Sequence, residues 1–135
     1  MPEKETVERA KKDLRQGKSP TTAAGEFVRE EMEHIREGKH GARSTKQAIA
    51  IGLSKARRSG VPLKPPAKGQ AKARTRSSAR RAYEVGQGRT KPRRASARRS
   101  RAVRAALKRE GRKAASRKAL STQARRAARR RRTAR

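Results

Sequence analysis

Apolar residues recur at helical spacing three times in the first sixty positions. Val7, Ala10 and Leu14 share one face of a helix predicted over 3–16, with Gly17 as its stop. Pro2, Glu3 and Glu5 suit its first turn, where a missing N–H costs nothing and carboxylates meet the positive dipole end. Ala24, Phe27, Val28, Met32 and Ile35 form the buried stripe of a second helix over 22–37, entered through Ser19-Pro20-Thr21-Thr22 and closed by Gly38. The third helix, 45–59, opens on Ser44-Thr45-Lys46-Gln47. This capping box has Ser44 as the cap and Gln47 reaching back. Its apolar face is Ala48, Ile49, Gly52, Leu53 and Ala56, with Gly52 admitting a close neighbour. Gly60 takes the left-handed position after it, Val61 folds back on Ala56, and Pro62 follows. A helix-turn-helix with its turn at Gly52 would leave a second helix too short to read a groove.

Beyond residue 61 the pattern dissolves. Large apolar residues thin to Leu63, Tyr83, Val85, Val103, Leu107 and Leu120, and Gly86-Gln87-Gly88 and Lys91-Pro92 interrupt the run. The expected organisation is a small helical head over 1–61, a Pro-rich linker over 62–69 and an Arg/Lys/Ala-rich tail over 70–135. Good helix formers allow helices near 93–109 and 114–128, but charge repulsion favours disorder until an anion neutralises it. The expected fold class is therefore mostly α with extensive disorder: a three-helix head and a polycationic, largely disordered or induced-helix tail.

Composition sharpens this picture. The 135 residues carry 42 Lys+Arg against 11 Asp+Glu, a formal net charge of +31. Residues 1–62 hold 14 basic and 9 acidic residues, whereas 63–135 hold 28 and 2, with arginine outnumbering lysine 21 to 7. Of the apolar residues 24 are alanine, and Leu, Ile, Val and Phe number only 14, so a large core and a walled catalytic cleft are not expected. Without cysteine there are no disulfides, thiolate sites or Cys nucleophile. No apolar run is long enough for a membrane span, and Met1-Pro2-Glu3-Lys4-Glu5 is too charged to open a secretory leader. A cytoplasmic, nucleoid location is the expectation.

Three stretches carry a resemblance: 25–43, then 44–61 with the string STKQAIAIGLSKARRSGV, and 100–111 continuing into 114–125. They resemble a bacterial family of short, strongly basic proteins grouped under a domain of unknown function and commonly labelled DNA-binding. The resemblance implies a bacterial source and carries over no catalytic or binding residue.

The tail chemistry points to nucleic acid. Clustered cations displace the counterions condensed on phosphates, and the arginine fork suits phosphate oxygens. The expected binding residues are Arg93, Arg94, Arg98, Arg99, Arg101, Arg104, Lys108, Arg109, Arg112, Lys113, Arg117, Lys118, Arg125, Arg126, Arg129, Arg130, Arg131 and Arg132. A secondary set of phosphate contacts is Lys46, Lys55, Arg57 and Arg58 on the third helix, whose N-terminal N–H groups add an anion site. With one Phe and one Tyr no stacking platform is expected, so the backbone is bound without base readout and duplex DNA precedes RNA. An RNA- or ribosome-associated protein remains an alternative. So does a protein-interaction module localised to the nucleoid by its tail. Weak self-association is compatible with each.

Glu26, Glu30, Glu31, Glu33 and Glu37 are expected to form a solvated face of the second helix, with docking of a basic tail as the competing use. His34 and His40 lie six apart without thiol support, and pairing either with Glu30 or Glu37 makes a weak ligand set, so no metal is expected. No hydroxyl–histidine–carboxylate arrangement is present, and neither an enzyme, a cofactor, a small-molecule substrate nor a membrane is expected.

Overall fold

The computed structural model describes residues 2–133. Among them are six α-helices: α1 (Lys4–Arg15), α2 (Pro20–Arg36), α3 (Thr45–Arg58), α4 (Ala73–Gly86), α5 (Ala97–Arg109) and α6 (Arg117–Thr133), with a 3-10 turn at Lys113–Ala115 before the last. The chain forms two compact units. One comprises Met1–Glu30 and Ile51–Arg94, the other Glu31–Ala50 and Ala95–Arg135.

The punctuation read from the sequence recurs in the backbone. Ser19 caps α2, accepting from the Thr22 N–H at 3.3 Å, with Pro20 as the first helical residue. Ser44 Oγ accepts from the Gln47 N–H at 3.1 Å, and Gln47 reaches back one residue further than expected, to the Arg43 N–H at 2.7 Å. After α3, Gly60 adopts φ +101°. Its N–H donates to the Arg57 carbonyl and that of Val61 to the Ala56 carbonyl, both at 3.1 Å. α3 runs unbroken through Gly52, which excludes the helix-turn-helix.

The core of the first unit is made of Ala10, Ala23, Ala24, Phe27, Ala56 and Val61, with Val7, Leu14, Leu53 and Leu63 packed against it. Small side chains let backbones approach closely. A Cβ on Gly52 would lie 2.8 Å from Val28 Cα, and one on Gly86 would collide with the Arg57 carbonyl oxygen. α4 buries only Ala79 and Ala82 and is seated by that approach. Gly86→Ala is accordingly expected to cost about 1–3 kcal/mol through forced backbone displacement, read as a lower urea midpoint at unchanged slope.

The second unit buries Met32, Ile35, Ala42, Ala48, Ala114 and Ala115, and hydrogen bonds tie its distant segments together. The Gly41 N–H donates to the Leu107 carbonyl at 2.8 Å and the Ala42 N–H to the Gly111 carbonyl at 3.2 Å. The buried Ala114 and Ala115 offer their carbonyls to Thr45 Oγ1 at 2.6 Å and Arg36 Nε at 3.0 Å.

This ordered, all-helical arrangement overturns the expected fold class with its extensively disordered tail. Three of the six helices lie in 70–135, and α4 was not anticipated at all. Two unit charges 8 Å apart in water repel by only about 0.5 kcal/mol, and salt screens that further. Each hydrogen bond to a head segment contributes about 1 kcal/mol, and arginine stems cover apolar surface while their heads stay wet. Local repulsion therefore loses. Ser96 and Ser116 start α5 and α6 later than expected, accepting from the Arg99 and Ala119 N–H groups at 3.2 and 3.1 Å. α6 reaches beyond 128 to Thr133, with Arg130, Arg131 and Arg132 at its negative dipole end. Residue 1 and residues 134 and 135, at the ends of the predicted head and tail, lie outside the described residues.

The predicted acidic face is also corrected. Glu30 and Glu31 are 2% and 0% exposed, not solvated. Glu30 accepts the Glu3 N–H at 2.7 Å, Glu26 pairs with Arg9 at 3.1 Å, and Glu31 meets His40. No helix among the described residues is long and apolar enough to cross a membrane.

Candidate nucleic-acid interface

The eighteen cations expected to bind nucleic acid are all exposed, but the fold distributes them unevenly. Arg93 and Arg94 precede α5, which carries Arg98, Arg99, Arg101, Arg104, Lys108 and Arg109. Arg112 and Lys113 flank or begin the 3-10 turn, and Arg117, Lys118, Arg125, Arg126 and Arg129 to Arg132 ride on α6.

Within the second unit, α6, the 3-10 turn and the start of α3 enclose an open groove of about 950 Å³. Lys118, Thr122, Arg126 and Arg130 are spaced four apart, so one face of α6 supplies them, and Arg129 stands beside them. Lys46 and Lys113 come from the other elements, together with Ser44 and Thr45. Thr45 spends its hydroxyl on Ala114, which fixes the first turn of α3 at the groove wall. The positive end of the α3 dipole thus adds to six cations, and no carboxylate lines the groove. Among the described residues no Lys or Arg of α5 or α6 has a carboxylate partner. Their charge is left for solvent or an external anion.

The four secondary candidates separate. Lys46 joins the groove, and Lys55 is half-buried. Arg57 is 8% exposed and donates to the Leu63 carbonyl at 3.1 Å and the Lys64 carbonyl at 3.3 Å. Burial holds its guanidinium below the ordinary arginine pKa. It clamps the Pro-rich segment to the first unit, so its expected role as a phosphate contact is corrected to a structural one. Arg58 donates to Ser54 Oγ at 2.6 Å and, in the first unit, shares a groove of about 180 Å³ with Arg81 and Arg93. Arg81 was missed because α4 was not foreseen. Ser44 and Thr122, neutral donors within the larger groove, were missed because only charge was followed. The six cations of α5 do not line the groove.

Tyr83 is half-buried with the Arg89 guanidinium 5.8 Å from its ring centroid, and Phe27 is fully buried, so no exposed aromatic platform exists among the described residues. His34 and His40, six apart in the sequence, are brought together with Glu31. No protein-family model, curated protein or solved structure matches the chain, so the resemblance stands on its quoted residues alone.

Proposed function

We propose that the protein binds nucleic acid, duplex DNA in preference to RNA, by neutralising backbone phosphates without reading sequence, in an architectural role at the bacterial nucleoid. The observation that carries this reading is the groove of the second unit, with six cations, a helix N-terminus and no carboxylate. α6 is about 26 Å long, and a duplex presents roughly 15 phosphates over that distance. A helix bearing eight cations can neutralise about half of them. The lack of an exposed aromatic among the described residues favours a stacked duplex over unstacked single strands.

The test is fluorescence anisotropy with a DNA duplex, the same single strand and a structured RNA across a salt series. Six contacts predict a slope of log K against log salt near −5 for the duplex, and affinities that ignore base sequence. Affinity unchanged between about 50 and about 200 mM NaCl would refute phosphate neutralisation. Tighter binding to the RNA would move the function to the ribosome or another RNA.

A further inference from the structure

Glu31 and His34 sit three residues apart on the last turns of α2, and so on one side of that helix. Gly38, at φ +79°, reverses the chain: its N–H donates to the Ile35 carbonyl at 3.1 Å and that of Lys39 to the His34 carbonyl at 3.0 Å. The reversal carries His40 back over the helix. His40 Nε2 then stands 3.2 Å from Glu31 Oε2, and the two imidazole rings lie edge to face with centroids 6.1 Å apart. One ligand atom from each of the three side chains lies within 4.8 Å of the other two.

The hydrogen bonding of His40 gives this cluster its meaning. Nδ1 lies 2.9 Å from the Gly41 carbonyl oxygen, which can only accept. Nδ1 therefore carries the hydrogen, and in the neutral ring Nε2 presents its lone pair to a carboxylate oxygen. Two acceptors held at 3.2 Å call for a cation between them. Ligand atoms on a tetrahedral zinc ion stand about 3.4 Å apart, close to this spacing. The carbonyl behind Nδ1 is the usual outer partner of a metal-bound histidine. Glu31, with no exposed side-chain surface, supplies a buried carboxylate oxygen to the cluster.

We propose that Glu31, His34 and His40 bind a divalent transition-metal ion of the zinc class, with water completing its coordination. Two imidazoles and one carboxylate, without thiolate, suit zinc and its neighbours rather than calcium or magnesium. The ion is structural: it fastens the 38–42 turn, whose Gly41 and Ala42 N–H groups hold Leu107 and Gly111. A proton on Nε2 is the competing occupant, and the experiment separates the two.

The chelator-stripped full-length protein is titrated with Zn²⁺ in millimolar Mg²⁺, by calorimetry and by NMR of the imidazole resonances. Only two histidines exist, so both signals are assignable. Stoichiometric uptake is expected, with both imidazoles shifting and the melting temperature rising. His34→Gln and His40→Gln should each weaken uptake more than about 100-fold, beyond what loss of an outer partner costs. Circular dichroism at equal helicity keeps the comparison sound. Should either variant prove less helical, Co²⁺ absorption of the wild-type protein decides, since nitrogen–oxygen ligation gives a tetrahedral or five-coordinate spectrum and octahedral Co²⁺ overturns the proposal. Zinc affinity in either variant equal to that of the wild-type protein, or histidine signals indifferent to Zn²⁺, also overturns it.

Discussion

Replacing Lys46, Lys118, Arg126, Arg129 and Arg130 together by glutamine is expected to weaken duplex binding by roughly three and a half orders of magnitude near 0.15 M salt. Each lost phosphate contact withdraws about 0.9 of a released counterion, worth roughly 0.7 of a decade at that concentration. The salt slope should accordingly fall by about 4.5. The informative control neutralises five cations of α5: Arg98, Arg99, Arg101, Arg104 and Lys108. Both variants carry the same net charge, so a difference between them measures geometry. The α5 variant should retain most of the affinity, because those side chains do not line the groove. Equal losses would show that total charge acts and that the groove is no site. Deleting the chain beyond Pro66 cannot serve this purpose, because it removes α4, α5 and α6 and with them parts of both units.

Phe27→Ala is expected to be the most destabilising single change, by about 3–5 kcal/mol. Phe27 is wholly buried and packs among Ala10, Ala23, Ala24 and Ala56, which are too short to close the space it would leave. Domains of this kind are stable by about 5–15 kcal/mol in total, so a large share of that margin would go. Urea unfolding followed by circular dichroism measures it. A loss below about 1 kcal/mol would mean that the first unit does not depend on its one fully buried aromatic residue.

The head was legible because its signals are local. Ser44 and Gln47 lie three residues apart, and Gly17, Gly38 and Gly60 each end a helix within a few residues of the last apolar position. The Phe27 stripe follows from the helical period alone. α4 was invisible for the converse reason: Ala79 and Ala82 carry no hydrophobic signal, and what seats them is the approach of Gly86 to the Arg57 backbone. Ser96 and Ser116 were readable caps, overlooked because repulsion among the arginines was given more weight than screening leaves it. Glu30 and Glu31 misled because their type predicts solvent, whereas a backbone N–H and a histidine account for their burial.

The amino-acid order alone determined the polycationic character, the starts and stops of the first three helices and the absence of a thiol or a stacking surface, since each depends on residue type or on neighbours within a turn. The tertiary structure alone decided that the basic half is ordered, that Lys46 and Lys113 share a groove with one face of α6, that Arg57 is withdrawn from solvent and that His40 returns to Glu31. The ties responsible, such as Thr45 to Ala114 and Arg36 to Ala115, join residues 69 and 79 positions apart. Such pairs leave no periodicity along the chain, because their partner groups are backbone carbonyls that every residue possesses.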